Sequence, residues 1–215
     1  MSNILKRLQR IIPYKPLILW RLSGIKKFIF LSTLAVYKQQ LDKIIYKQED
    51  DTQPLNMYSA SKLYGEHLCK IYNSLYGLET VVLRYFNVYG NCSSINPYSS
   101  VLVKFLQNKK ENKPLLIFGD GTQTRDFINV NDVVDVNIKA SDNNLLDYQQ
   151  PYNVGTGHYI SIKQLALMIS DQIEYIDSKL GELKYSCANV SKLQNILSWK
   201  PTYGIQDWIA KKAYE

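Results

Sequence analysis

The apolar positions in the first half of the chain switch between two periods. Residues 25–37 contain the apolar run Phe28-Ile-Phe-Leu31, which is typical of a buried parallel strand that runs into a loop. From Tyr58 to Tyr76 apolar side chains recur at helical spacing, and Gly77 provides a stop. Residues 80–88 are again β-branched and aromatic. A helix between two apolar strands predicts an α/β fold with a parallel, doubly wound sheet.

The second half alternates in shorter pieces. We predict a helix over Val101–Asn108, a strand over 114–119, an α/β unit over Phe127–Ala140, a strand that ends at 152–155, and a helix over 162–176 capped by Ser161. Residues 11–22 contain two prolines and no clean period, so the helix expected ahead of the first strand is interrupted.

Charge is distributed unevenly. The net charge is +7, and residues 1–47 alone carry ten Lys/Arg against one acid. This basic segment matches no recognisable nucleic-acid-binding fold, so we expect no nucleic-acid partner. No stretch approaches the roughly 20 apolar residues of a membrane span. The start does not resemble a secretory signal, and the three cysteines are widely spaced without a metal-ligand pattern. We therefore expect a cytoplasmic protein with free thiols and no membrane association.

Candidate chemistry begins with Tyr58 and Lys62. With 17 tyrosines in the chain, a Tyr-x-x-x-Lys pair alone means little, and two more pairs occur at 159/163 and 175/179. The first pair differs because it opens a helix beside the predicted sheet, and Thr33 lies at the end of the preceding strand. Positions i and i+4 share a helix face, so Lys62 can place its ammonium near the Tyr58 phenol.

This trio suits proton transfer from a hydroxyl group. A free tyrosine titrates near pH 10, and a base at pH 7 needs about 4 kcal/mol of extra stabilisation of its phenolate. A nearby ammonium supplies part of that stabilisation. Thr33 can donate a hydrogen bond to the same substrate hydroxyl. The alternative is an interfacial Tyr, an exposed Lys and a Thr at a strand end.

Six motifs occur in one order along residues 24–205. They are Thr33 with Ala35-Val-Tyr37, Tyr58-Ser-Ala-Ser-Lys62, Leu83-Arg-Tyr-Phe-Asn-Val-Tyr-Gly90, Phe118-Gly-Asp-Gly-Thr-Gln-Thr-Arg-Asp-Phe127, Tyr152-Asn-Val-Gly-Thr-Gly157 and Trp199-Lys-Pro201. In these motifs the chain resembles the extended short-chain dehydrogenase/reductase family. Within that family it resembles the NAD-dependent nucleotide-sugar epimerase/dehydratase group, and UDP-glucose 4-epimerase-like enzymes in particular.

The resemblance implies a role for each matching residue. It implies that Tyr58 is the base, that Lys62 binds the nicotinamide ribose and that Thr33 assists. Tyr85 and Phe86 match positions beside the nicotinamide of NAD. The implied substrate-binding residues are Asn87 and Arg125 at the sugar diphosphate, Phe118 at the nucleotide base, and Lys179 in place of a diphosphate arginine. The implied substrate is a nucleotide sugar, with a UDP-hexose as the expectation. Members of this family are usually homodimers.

Two residues indicate the type of reaction. The related 4,6-dehydratases follow the Thr with an Asp-Glu pair that eliminates water, whereas this chain has Leu34 and Ala35. Neither side chain can move a proton, so dehydration is disfavoured. The resemblance then implies oxidation of the sugar at C4 and return of the hydride.

The resemblance also implies two domains. Residues 1–90, with 127–155, correspond to the second half of an NAD-binding Rossmann domain. Residues 91–126 and 156–215 correspond to a smaller α/β substrate-binding domain.

One element of the family pattern is missing from the sequence. The Gly-x-x-Gly-x-x-Gly turn that holds the cofactor pyrophosphate does not occur, and the 119–121 and 155–157 glycine pairs lack the third small residue. We interpret the chain as lacking the first mononucleotide-binding half. Three alternatives to a self-sufficient enzyme follow: an inactive remnant, a nucleotide-sugar-binding module without redox activity, or one chain of a two-chain enzyme.

Overall fold

The computed structural model describes residues 24–39, 45–91, 100–144, 146–178 and 183–212. The interrupted segment at 11–22 and Lys179 lie outside the described residues. The strands are β1 Lys27–Thr33, β2 Ile45–Tyr46, β3 Glu79–Tyr85, β4 Asn87–Tyr89, β5 Leu115–Phe118, β6 Thr124–Arg125, β7 Phe127–Asn129, β8 Pro151–Val154, β9 Ile160–Ser161, β10 Ile173–Ile176 and β11 Cys187–Ala188. The α-helices are α1 Met57–Tyr76, α2 Val101–Lys110, α3 Val130–Asp142, α4 Ile162–Leu167, α5 Ser191–Leu197 and α6 Ile205–Lys212.

The predicted parallel sheet is present. Strands β1, β3 and β8 form a three-stranded sheet in the order β1-β3-β8, with both pairings parallel. Thr33 at the end of β1 is in register with Tyr85 at the end of β3, and Tyr85 is in register with Val154. The carboxyl ends of the three strands therefore meet at one edge of the sheet, which is where α/β proteins place their ligands.

Helix α1 covers one face of this sheet and α3 contacts the sheet as well. The Asn56 side chain caps α1 by accepting a hydrogen bond from the Ser59 amide at 2.9 Å, and Ser59 Oγ accepts a hydrogen bond from the Asn56 amide. Gly77 ends the helix at φ 66°, in the left-handed region that glycine adopts most readily. Sequence analysis predicted both boundaries to within one residue.

The apolar core has two principal clusters. The first is built around the three-stranded sheet and α3, and includes Val81, Leu83, Tyr152 and Trp199. The second joins α2, β5, α4 and α6 around Phe105, which is 2% exposed. Helix α5, which the sequence assigned to the substrate-binding part, contributes Leu193 and Leu197 to the first cluster.

The helix predicted over 162–176 is wrong in its second half. Helix α4 begins as expected, with Ser161 and Gln164 forming a capping box, but it ends at Leu167. Residues Ile173–Ile176 form β10 and pair in parallel with β5. Their Ile-Glu-Tyr-Ile sequence has the β-branched and aromatic composition of a strand, and pairing with β5 decides between the two states.

Gly65 allows α1 to approach the sheet closely. A Cβ on Gly65 would overlap the Phe30 ring of β1, with Phe30 Cε2 at only 2.8 Å. Phe30 is 6% exposed and therefore has little room to withdraw. The close approach of α1, which carries Tyr58, to β1, which ends at Thr33, thus requires glycine at position 65.

We predict that Gly65→Ala destabilises the protein by about 1–3 kcal/mol, because overpacking outweighs the gain of about 1 kcal/mol in helix propensity. Urea unfolding followed by circular dichroism measures the change. In a Phe30→Leu background, where the ring is absent, the same substitution should cost much less. Equal costs in both backgrounds would show that the Phe30 contact does not limit this interface.

Candidate active site

Tyr58 is the second residue of α1, and 46% of it is exposed at the end of the helix. The backbone N–H groups of a helix N-terminus carry a partial positive charge. The exposed phenol can also be reached by a substrate.

Lys62 lies one turn further along α1. Its Nζ donates a hydrogen bond to the Leu31 backbone carbonyl of β1 at 2.8 Å. The same Nζ is 5.9 Å from the centre of the Tyr58 ring and 5.3 Å from the centre of the Phe30 ring. Partial burial of Lys62 lowers the pKa of its ammonium. The structure thus brings the predicted pair together and anchors Lys62 to β1.

Thr33 is the last residue of β1 and is 9% exposed. Its Oγ1 accepts a hydrogen bond from the Ala35 amide at 3.2 Å, and a short 3-10 helix follows over Leu34–Val36. This arrangement uses a lone pair of Thr33 and leaves its hydroxyl proton as a potential donor to a substrate. Helix α1 contacts the 3-10 helix, so Thr33 and the start of α1 belong to one region.

Tyr85 ends β3 and Phe86 follows it, and the two side chains lie in different environments. The Tyr85 hydroxyl accepts a hydrogen bond from Asn137 Nδ2 of α3 at 2.7 Å, and burial raises the pKa of Tyr85 to about 12. Tyr85 therefore lies on the sheet face opposite α1. Phe86 is 4% exposed and packs against Tyr37 and Tyr46. Their contact with a nicotinamide stays a prediction.

Three of the predicted substrate-binding residues line one cavity. Asn87, Phe118 and Arg125 surround a space of about 560 Å³, within the usual range for small-molecule sites. Lys104 of α2 lines it too. Lys104 and Arg125 are cationic, and none of the described lining residues is acidic. This balance of charge favours an anionic ligand.

Arg125 is held from behind by the backbone. Its Nη1 donates to the Thr124 carbonyl at 2.7 Å, and the residue is 8% exposed. The next residue, Asp126, is fully buried and accepts hydrogen bonds from the amides of Thr156, Gly157 and Ala188 at 2.8–3.1 Å. The Thr156 hydroxyl also donates to it at 2.7 Å. Burial raises the pKa of Asp126, while these four donors oppose the rise.

Sequence reasoning assigned no role to Asp126 or Lys104. Asp126 belongs to the Arg-Asp-Phe motif, and its carboxylate joins the loop after β8 to β11. Its backbone carbonyl also accepts bonds from the Asn87 amide at 2.9 Å and from Asn87 Nδ2 at 3.1 Å. Lys104 lies inside a predicted helix, where periodicity alone does not show which face lines a cavity.

No cluster of three or more metal-ligating side chains occurs among the residues that the structure describes. In the same residues, every helix is too short or too polar to span a bilayer.

Comparison with known proteins identifies the family. Residues 13–155 match the NAD dependent epimerase/dehydratase family. The chain belongs to this family. It is 34% identical over 195 residues to a UDP-glucuronate 4-epimerase of Thermodesulfobacterium geofontis, covering 87% of this chain and 58% of that protein.

Solved structures show the same fold. One is a UDP-N-acetylglucosamine 4-epimerase from Methanobrevibacter ruminantium in complex with UDP-N-acetylmuramic acid, with a TM-score of 0.88, 31% identity, and coverage of 99% of this chain and 70% of that one. Another is a UDP-glucuronic acid 4-epimerase from Bacillus cereus in complex with UDP-glucuronic acid and NAD, with a TM-score of 0.83, 29% identity, and coverage of 96% and 66%. The chain spans about three fifths of the length of the curated relatives it matches.

We predict that Asp126→Asn destabilises the protein by about 1–3 kcal/mol, because an amide NH₂ would face backbone donors that need an acceptor. Unfolding in urea measures the loss. Asp135→Asn on the exposed face of α3 is the matched control and should leave the free energy of unfolding within about 0.5 kcal/mol of its original value. A stable Asp126→Asn protein would show that the four hydrogen bonds add little.

Proposed function

We propose that the chain carries the proton-transfer and nucleotide-sugar-binding parts of an NAD-dependent nucleotide-sugar 4-epimerase, with a UDP-hexose as substrate. The observation that carries the proposal is one arrangement of three elements. The Tyr58–Lys62 pair lies in the first two turns of α1, and Thr33 ends β1. The cationic cavity is lined by Asn87, which lies two residues after the end of β3.

In the proposed reaction Tyr58 takes the proton of the hydroxyl at sugar C4. Tyr58 must be a phenolate before this transfer, and the Lys62 ammonium and the N-terminus of α1 lower the cost of that charge. The transfer turns Tyr58 into a neutral phenol. Thr33 donates a hydrogen bond to the same hydroxyl and orients it. Tyr58 then returns the proton after the sugar has presented its other face. When bound, NAD supplies the redox chemistry, accepting a hydride from C4 and returning it.

The residues present fit one part of NAD better than the other. Tyr58 and Lys62 offer a hydroxyl and an ammonium that suit the ribose beside the nicotinamide. The sequence has no Gly-x-x-Gly-x-x-Gly turn for the pyrophosphate. This mismatch supports a second candidate function, a nucleotide-sugar-binding chain that needs a separate source of the glycine turn for redox activity.

The cationic cavity suggests where each part of the substrate binds. We assign the diphosphate to Arg125, whose planar fork matches phosphate oxygens, and the nucleotide base to Phe118, which is 40% exposed and free to stack. Leu34 and Ala35 lie beside Thr33 and carry no acid or base, so the site does not support the elimination of water.

We predict that the 215-residue chain binds UDP, and that Arg125→Met weakens this binding about 10- to 100-fold because charged hydrogen bonds are lost. Calorimetric titration with UDP measures the affinity, and Lys70→Met on the exposed part of α1 is the control. Failure of the folded chain to bind UDP would contradict the proposal.

Titration with NAD, with and without UDP, separates the two candidate functions. Micromolar NAD binding supports the epimerase reading, and conversion of UDP-glucose should then be followed by NMR. Binding of UDP without NAD supports the binding chain. If neither ligand binds to a folded sample, both candidate functions are wrong.

We also propose that the chain forms homodimers through α1. The helix exposes an apolar row on the side away from the sheet, including Tyr64 at 52%, Ile71 at 48% and Leu75 at 67% exposure. Rows of this kind on a soluble protein are typical of protein contacts. Sedimentation of the wild-type chain should show a dimer that Ile71→Glu dissociates, and a monomeric wild-type chain would contradict this assembly.

A further inference from the structure

Glu66 forms a buried ion pair that the proposed reaction does not use. The residue is 8% exposed and Arg84 of β3 is 4% exposed. Arg84 Nε donates to Glu66 Oε1 at 2.9 Å, and Arg84 Nη2 donates to Glu66 Oε2 at 2.6 Å. The Ser32 hydroxyl of β1 also donates to Oε1. A single carboxylate on α1 is therefore bound to two strands of the sheet.

The position of Glu66 in α1 connects it to the proposed catalytic pair. Glu66 follows Lys62 by four residues and Tyr58 by eight, so the three side chains follow one side of the helix. Its strand partner Ser32 lies between Leu31, whose carbonyl binds Lys62 Nζ, and Thr33. The carboxylate thus joins the helix and the strand beside the atoms that the proposed reaction requires.

The sheet side of this contact is itself fixed. Arg84 Nη1 donates to the Gln48 carbonyl at 3.2 Å, and the Arg84 guanidinium stacks on the Tyr37 ring at 4.6 Å. The Tyr37 hydroxyl donates to Asn153 Oδ1 of β8 at 2.6 Å. Every one of these side chains is buried and hydrogen-bonded, so Arg84 has little freedom to follow the helix if the helix moves.

We infer that Glu66 is a positioning residue, which sets the register of α1 on β1 and so places Lys62 Nζ between the Leu31 carbonyl and the Tyr58 phenol. The inference rests on the proposed function of Tyr58 and Lys62. Apolar contacts such as that of Gly65 with Phe30 bring α1 close to the sheet but are not directional. The three charge-assisted hydrogen bonds of Glu66 are directional, so they fix the rotation of α1 about its axis and its position along β1.

A role in stability alone does not account for the arrangement. Burying a carboxylate and a guanidinium costs several kcal/mol per ion, and apolar replacements of similar volume are often equally stable. The contribution specific to this pair is geometric. Removing it should therefore change the surroundings of Lys62 more than it changes the free energy of unfolding.

The test uses two variants and a matched control. Ser32→Ala removes only the strand hydroxyl, and Glu66→Leu with Arg84→Met replaces both charges together, so no single charge is left buried. Thr80→Val is the control. Thr80 Oγ1 donates to the Cys69 carbonyl at 3.0 Å, so it also joins β3 to α1, but one turn further from Tyr58.

The readout is the ¹⁵N ammonium signal of Lys62, assigned by its absence in Lys62→Met. In the wild-type chain the bond to Leu31 should slow proton exchange and make the signal visible. We expect the signal to broaden or disappear in both test variants and to persist in Thr80→Val, with circular dichroism confirming the fold throughout. If the chain turns over UDP-glucose, kcat should fall in the test variants with KM little changed.

An unchanged Lys62 signal in a folded Ser32→Ala protein and in the folded double variant would overturn the inference. The signal requires neither ligand nor turnover, so it is independent of the proposed function. UDP titration of the same samples tests that function. If the Lys62 signal is lost in the test variants and kept in Thr80→Val while the wild-type chain does not bind UDP, the positioning role is retained and the proposed function is wrong.

Discussion

The buried pair of Glu66 and Arg84 is the constraint on which the arrangement of the site depends. It binds α1 to β1 and β3 at once, and through Tyr37 and Asn153 it reaches β8. Ions at such depth are costly unless all their hydrogen-bonding groups are matched. The matching can be satisfied in only one register of helix on sheet, because hydrogen bonds lose strength quickly with distance and angle.

A second buried carboxylate, Asp126, connects several segments beside the cavity. Its side chain accepts hydrogen bonds from amides of the loop after β8 and of β11, and its backbone carbonyl accepts one from Asn87 Nδ2. Gly155 makes room for this, since a Cβ there would lie 2.6 Å from Asp126 Oδ2. The groups proposed to contact the ligand are thus held in place by buried groups that are not proposed to contact it.

The charged side chains of the buried network and of the cavity are distributed differently. Glu66 is paired with Arg84, and Asp126 is bound by uncharged donors. Among the described residues that line the cavity, the charged side chains are Arg125 and Lys104, which favour the anionic ligand that we propose. The proposed proton-transfer pair, Tyr58 and Lys62, lies within the first two turns of α1.

The pattern of the amino-acid sequence determined the parallel sheet, the bounds of α1 and the candidates Tyr58, Lys62 and Thr33, whereas Asn87, Phe118 and Arg125 became candidates through the family resemblance. These features are local, because period, caps and motif spacing are read within a few turns of chain. Sequence reasoning misassigned Ile173–Ile176 as helix, since only pairing with β5 distinguishes a short apolar strand from a helix.

Only the tertiary structure decided the roles of Glu66, Asp126 and Lys104. Glu66 and its partners Ser32 and Arg84 are distant in sequence, and an acid within an amphipathic helix is normally solvated. Lys104 lines the cavity because α2 packs beside β5, which no local pattern specifies. Motifs and periodicity identify candidate residues, whereas the contacts that hold those residues in place are defined by which strands and helices the fold brings together.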